Sequence, residues 1–258
     1  MPTPFHLDRS KSPPGGEPVE ADIAQLREAN LAAVYAAPAS GGDFYDFLRV
    51  GATRVLFALL ESADQSEDNR ALMAEVRTTF RESGLRVFGK EDLNLAEAMI
   101  ELCLELNRTI LEGGKARSCP GFAGCYDESL STVWYVHAGQ AAALVRDPTG
   151  VTELPATSLP LGLFSHATCD ASAVVLEPGA ALLVASRGIV EARSDGKEFG
   201  LEAVKAALGE TTATDAKDIC LSILARLRQF LGAPPEPTEV TALALARSTA
   251  VLSQPLIS

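Results

Sequence analysis

Four short stretches carry the charged residue types that act in catalytic and binding centres. Gly41-Gly42-Asp43-Phe44-Tyr45-Asp46 sets carboxylates after a glycine turn and within an aromatic run. Glu61 closes the apolar run Val55–Leu60. Ser186-Arg187-Gly188 closes a second run, Ala180–Ala185, which follows a Pro178-Gly179 turn. Thr238-Glu239-Val240-Thr241 opens the last apolar run. A charge beside a glycine at the end of a buried strand is a common place for chemistry. Arg187 at such a spot is a permanent cation, because guanidinium keeps its proton at any usable pH. Asp43 and Asp46 are three residues apart, so they cannot share one face of a regular strand. Taken one at a time, each stretch is also explained by an ordinary turn: a capping Asp after Gly41-Gly42, an acidic loop with Asp64, Glu67 and Asp68, and a turn after Pro234-Pro235-Glu236-Pro237.

The elements around these stretches follow from periodicity. Ala180–Ala185 has six uncharged small or apolar residues, the pattern of a strand buried on both faces. Leu31–Ala37, Asp43–Val50, Thr53–Leu60, Gly121–Tyr126, Thr132–Ala138, Ala141–Arg146, Val151–Leu154, Ala171–Leu176 and Glu239–Ala246 read as further strands. Asp43–Val50 and Thr53–Leu60 form a hairpin. Ala171–Leu176 and Ala180–Ala185 are expected as another pair. Helices are expected over Ala21–Asn30, over Asn69–Ser83 with Gly84 as its stop, and over Asp92–Leu111, Glu202–Leu208 and Asp215–Leu231. Hairpins combined with paired helices predict an α+β fold of two packed antiparallel β-sheets flanked by helices, an α-β-β-α sandwich. One domain is expected over 21–248, between a Pro- and Gly-rich N-terminal tail (1–20) and a short C-terminal tail (249–258).

Composition narrows the class. Hydrophobic residues make up 47% and charged residues 22% of 258, enough for a full core. No apolar run is long enough for a membrane helix and no signal-peptide layout opens the chain, so a cytoplasmic protein is expected. A net charge of −12 repels nucleic acid and anionic lipid, so neither is expected as a partner. Five cysteines with no C-x-x-C spacing argue against a zinc ribbon or disulfide framework, and three scattered histidines against a His-based metal site.

Together the four stretches resemble the PPM-type metal-dependent serine/threonine protein phosphatases, in the SpoIIE/RsbU-like branch, from about Asp22 to Arg247. Gly41–Phe47 matches the branch's opening motif. His137-Ala138-Gly139-Gln140 is similar to its Asn-Ala-Gly-His. Leu159-Pro160-Leu161-Gly162-Leu163 matches its Leu-Pro-Leu-Gly loop. Leu176-Glu177-Pro178-Gly179 and Gly188-Ile189-Val190-Glu191-Ala192 match its Leu-x-Pro-Gly and Asp-Gly-Val-x-Glu-Ala stretch. The resemblance implies phosphomonoester hydrolysis by two Mn²⁺ or Mg²⁺ ions held on carboxylates, which activate a bridging water.

The ligand positions depart from that pattern. Asp43 is kept. The second motif falls on Leu60-Glu61-Ser62-Ala63-Asp64-Gln65-Ser66, so Glu61 stands where the family has its bridging Asp, with Ser62 after it and the glycines gone. Arg187 stands for the Asp of Thr-Asp-Gly. Thr238 stands for the first Asp of the last motif, with Glu239 beside it. A unit positive charge about 4 Å from a cation costs about 4 kcal/mol per unit charge at an effective dielectric of 20, and a divalent ion doubles that. The expectation is therefore a degenerate site without a required cofactor, in which the Arg187 guanidinium lies among Asp43, Glu61 and Glu239. The chain would then be a pseudophosphatase that binds a protein partner: a phosphorylated regulator or an anti-sigma-type kinase. Two alternatives stay open. One is a weakly active Mn- or Mg-dependent phosphatase using Asp43, Glu61 and Glu239. The other is a scaffold, for instance a homodimer.

Overall fold

The computed structural model describes residues 19–22, 26–36, 43–61, 66–90, 93–113, 118–139, 142–166, 169–232 and 239–249. Ser62 and Thr238 lie outside them, as do residues 1–18 of the expected N-terminal tail and all but residue 249 of the C-terminal one.

Two antiparallel sheets stack face to face. The first contains β1 (Val19–Asp22), β2 (Ala29–Ala36), β7 (Ala142–Asp147), β8 (Gly150–Glu153), β10 (Ala181–Ala185) and β13 (Val240–Arg247), in the order β1-β2-β13-β10-β7-β8. The second runs β3 (Phe44–Arg49), β4 (Arg54–Leu60), β5 (Gly121–Asp127), β6 (Thr132–Ala138), β9 (Ser172–Val175). The helices α1 (Glu67–Phe88) and α2 (Leu95–Glu112) cover the outer face of the second sheet. The outer face of the first is covered by α4 (Gly200–Glu210) and α5 (Ala216–Leu231). A short helix α3 (Arg187–Val190) and a small ribbon, β11 (Arg193–Ser194) with β12 (Lys197–Glu198), complete the described elements. This is the expected α-β-β-α sandwich. No helix among the described residues is long and apolar enough to cross a membrane.

Strand alternation sorts side chains into three cores. From β4, Val55, Phe57 and Leu59 enter the core between the sheets, whereas Leu56, Ala58 and Leu60 meet α1 and α2. From β10, Leu182 and Val184 face the other sheet, and Ala181, Leu183 and Ala185 face the α4–α5 layer. The unbroken apolar run of β10 is thus explained: an antiparallel strand is buried on both faces when helices cover the outer one. Alanines at 32, 142, 181, 185, 242, 244 and 246 line that helix-facing side and let the helix layer lie close.

Three expectations are corrected. Residues 21–30 hold no described helix: Ala21 and Asp22 end β1, which pairs with β2 (Ala21↔Ala33), and residues 29 and 30 open β2. Cross-strand hydrogen bonds outweigh the weak helix pattern there. Gly84 does not end α1, which continues to Phe88 with Gly89 as cap. A Cβ on Gly84 would lie 2.8 Å from Leu56 Cδ2, so the glycine seats the helix on β4. Its cost of about 1 kcal/mol is outweighed by burying Val87 and Phe88, each worth about 1.5–3 kcal/mol. Finally, β9 and β10 are not partners. β9 pairs with β6 in one sheet and β10 with β7 and β13 in the other. The Pro178-Gly179 turn, with Gly179 at φ +84°, carries the chain across the sandwich.

Asp46 serves this frame. It is buried and faces α1, where Arg81 Nε and Nη2 grip its carboxylate at 2.7 and 2.6 Å. Asp46→Ala is expected to lower stability by about 1–2 kcal/mol, because the guanidinium is half-exposed and can regain water. Urea unfolding measures it; an unchanged midpoint would refute the role.

Candidate functional site

The antiparallel registers bring the four strand ends to one end of the sandwich. Phe44 pairs with Leu60, so Asp43 and Glu61 are the next residues out on β3 and β4. Both continue the alternation of Tyr45, Phe47, Phe57 and Leu59, whose side chains face the other sheet. There Ala185 pairs with Ala242, placing Ser186 and Arg187 beyond the end of β10 and Glu239 just before β13.

The centre is an ion pair. Glu61 Oε1 accepts the Arg187 backbone N–H at 2.5 Å, and Glu61 Oε2 accepts the Nε–H of the same residue. The Glu61 side chain is 3% exposed and that of Arg187 43%. Burial works against the guanidinium charge. The hydrogen bond and charge of Glu61, with Glu191 and Asp43 farther off, more than offset it and hold Arg187 above its ordinary value. Glu239 does not bond Arg187 here; its Oε1 accepts the Asp43 N–H at 2.6 Å. Thr241 Oγ1 donates to Asp43 Oδ2 at 3.2 Å. Asp43, Glu61, Arg187 and Glu239 therefore lie at the same end of the sandwich, and the guanidinium bonds Glu61 rather than all three carboxylates, while Asp43 bonds Glu239 and Thr241.

Three further residues belong to this end of the molecule. Ser186 Oγ accepts the Thr241 N–H at 2.9 Å and ties the β10 turn to β13. The Cys119 thiol donates to the Glu61 carbonyl at 3.2 Å. Burial, then the charges of Asp43 and Glu61, push that thiol up to about 12, which makes it an inert donor rather than a nucleophile. Gly188 is the third. An added Cβ would lie 1.9 Å from the Glu239 carbonyl oxygen, so only glycine lets α3 approach the start of β13. The Ser-Arg-Gly spelling hinted at Gly188. Cys119 carried no local signal, since its contact with Glu61 spans 58 residues of chain.

The loops beside the centre are packed on each other. His137 accepts the Thr157 and Ser158 N–H groups at its carbonyl oxygen, and its Nδ1 lies 3.1 Å from the Leu154 carbonyl oxygen. Gly139, at φ +72°, abuts Pro160. Leu161 exchanges both backbone hydrogen bonds with Cys119. Leu159 and Phe164 stay exposed on this loop.

The sequence matches the family Stage II sporulation protein E (SpoIIE) over residues 52–247. The chain belongs to the SpoIIE family. No curated protein matches it. Among solved structures, this SpoIIE-family chain is similar to the RsbU and RsbW domains of Rv1364c from Mycobacterium tuberculosis, with TM-score 0.70 and 22% identity over 88% of this chain and 64% of that one. It is similar to the SiaA-PP2C domain of Pseudomonas aeruginosa, with TM-score 0.68 and 16% identity over 84% of each chain. It also resembles the PP2C phosphatase domain, with a fragment of the regulatory domain, of the cell fate determinant SpoIIE from Bacillus subtilis, with TM-score 0.68 and 14% identity over 88% of this chain and 64% of that one. At such identities the likeness carries the fold. The chain spans somewhat under two thirds of the first and third of these.

The donor set bears on the metal ions that the fold family implies. Both Glu61 oxygens accept hydrogen bonds from a cationic residue, and Asp43 and Glu239 are bonded to protein donors. Among the described residues no group of three or more His, Cys, Asp or Glu side chains is arranged to hold a metal ion. These residues do not fit a dimetal centre while Arg187 is paired with Glu61.

Proposed function

We propose that this SpoIIE-family domain is a pseudophosphatase: a binding module that keeps the phosphatase fold and recognises a protein signalling partner without turning it over. The observation that carries the reading is the Arg187–Glu61 ion pair at the strand ends. It links the two sheets, occupies both Glu61 oxygens, and sets a guanidinium charge where a metal would have to sit, which offsets part of the attraction of the carboxylates for a metal cation. The remaining charges point the same way. Arg187 counts +1 against Asp43, Glu61 and Glu239, so the cluster is net negative and does not attract a phosphate dianion unaided. Recognition then rests on the partner's protein surface, and the exposed Leu159 and Phe164 beside the centre supply apolar contact area. An antagonist-type regulator or an anti-sigma-type kinase is the proposed partner. The similar M. tuberculosis chain carries an RsbW domain beside its RsbU domain, which supports a protein as the partner.

Thermal unfolding with and without Mn²⁺ or Mg²⁺, beside an assay of phosphomonoester hydrolysis, tests the reading. The wild-type protein is expected to show no metal-dependent stabilisation and no turnover. Arg187→Asp removes the cation and restores a carboxylate. It is expected to melt lower without metal and to regain roughly 5–10 °C when Mn²⁺ is present at about a hundred times its Kd. Metal-dependent stabilisation of the wild type together with turnover would overturn the proposal. It would favour the second reading, a weak one-metal phosphatase, which draws on the three carboxylates gathered at this end.

A further inference from the structure

All five cysteines are buried free thiols, and two of them meet. Cys103 Sγ, on the inner face of α2, lies 2.7 Å from Cys169 Sγ, in the segment that leads into β9. Ser158, which forms an isolated bridge with Cys169, sets its Oγ 3.4 Å from the same sulfur. One turn along α2 from Cys103, Asn107 grips the neighbouring loop. Its Nδ2 donates to the Phe164 carbonyl at 3.0 Å and its Oδ1 accepts the Gly162 N–H at 2.8 Å. One face of α2 therefore holds both the Leu159–Phe164 loop, through Asn107, and Cys169, through Cys103. The same loop reaches the Arg187–Glu61 centre through Leu161 and Cys119.

The two thiols differ in character. The hydrogen bond from Cys103 is the main cause that brings the Cys169 thiol down to about 7, with help from Ser158 and against burial and the charge of Asp170. The same bond, then burial, holds Cys103 well above the ordinary thiol range. Burial pushes Cys125 up to about 12 and Cys220 higher still. The shared hydrogen bond favours a thiolate on one sulfur beside a protonated thiol on the other, 2.7 Å apart, and that contact is the layout of an attacking and a resolving cysteine. A disulfide needs sulfurs about 2.0 Å apart, so the pair must close by roughly 0.7 Å.

We propose that Cys103 and Cys169 form a reversible redox pair, oxidised by hydrogen peroxide to a disulfide that fastens the Leu159–Phe164 loop region to α2. The Cys169 thiolate attacks one peroxide oxygen. The O–O bond breaks, an S–OH group forms, and the departing hydroxide takes up a proton and leaves as water. Cys103 sulfur then attacks the Cys169 sulfur, and its own proton joins the displaced hydroxide as a second water. Two thiols lose two electrons and one peroxide is reduced to two waters. A dithiol reductant reverses the change.

The test uses the full chain, fully reduced and then treated with a small molar excess of hydrogen peroxide, with thiols counted under denaturing conditions. The count is expected to fall from five to three, with a mass loss of two hydrogens and one cross-linked peptide joining Cys103 to Cys169. Dithiothreitol is expected to restore all five thiols. Hydrogen exchange at the Gly162 N–H, which Asn107 Oδ1 accepts, is expected to slow several-fold in the oxidised form. In Cys103→Ser, Cys169 is expected to over-oxidise or to take up a small thiol instead of cross-linking. Five thiols persisting at a peroxide dose that oxidises free cysteine would overturn the proposal, as would Cys169 sulfinic acid as the main wild-type product. The experiment does not depend on metal or phosphatase behaviour, so its failure leaves the pseudophosphatase reading standing.

Discussion

Gly188→Ala is expected to cost about 3 kcal/mol or more, the largest loss among conservative changes at the strand ends. The new methyl group meets a backbone carbonyl, Glu239 O at 1.9 Å, rather than the tip of a side chain that could turn aside. To relieve it, α3 must lift from β13. That motion pulls Ser186 from Thr241 and Arg187 from Glu61. Gly209→Ala is the control. Gly209 lies in α4 with open space up to 3.4 Å, at Val151 Cγ2, so alanine there is expected to leave stability unchanged or raise it by up to about 1 kcal/mol. Urea unfolding of the two variants decides the matter. A Gly188→Ala protein as stable as the control would show that the close approach of α3 to β13 has been misread.

Arg187→Ala is expected to cost more than Glu61→Ala, by about 1–2 kcal/mol. The two partners differ in access to water: the Glu61 side chain is 3% exposed and the Arg187 side chain 43%. Removing the arginine side chain strands a buried carboxylate with a single backbone N–H, Arg187's own, among the bonds it made with that residue. Breaking a fully buried pair costs about 3–5 kcal/mol; the half-exposed guanidinium lowers the expected figure to about 2–4 kcal/mol. Removing Glu61 leaves a guanidinium that can turn to solvent, so about 1–2 kcal/mol is expected. The double variant Glu61→Leu with Arg187→Met removes both charges and is expected to fall within about 1 kcal/mol of wild type. Thermal and urea unfolding of the three proteins form the measurement. Equal losses for the two single variants would count against a buried carboxylate held by a surface-reaching cation.

These expectations rest on features of different legibility. The all-apolar runs, such as Val55–Leu60 and Ala180–Ala185, announced strands buried on both faces, because no solvent-facing position breaks them. The helix-period faces of α2 and α5 were equally plain, and their ends moved by only a few residues. Asp43, Glu61, Arg187 and Glu239 were each explained by an ordinary turn when taken alone, and only the shared family pattern put them in one set.

Local pattern failed where a distant contact outweighed it. Gly84 reads as a helix stop, yet the nearby leucines of β3 and β4 make it a seat for α1. Ala171–Leu176 and Ala180–Ala185 read as a hairpin, but Pro178-Gly179 sends them to opposite sheets, and a turn signal does not say on which side the chain returns. Asp46 shares a motif with Asp43, and strand alternation sends it to α1 instead of the centre. The direction taken by Arg187 was the least legible of all. Sequence put a cation among carboxylates. That it bonds Glu61 while Glu239 turns to Asp43 depends on strand registers and on the close packing of Gly188, which join residues more than a hundred positions apart. The residue types and strand periods were local information. The pairing of charges was set by which backbone groups the two sheets bring within hydrogen-bonding distance.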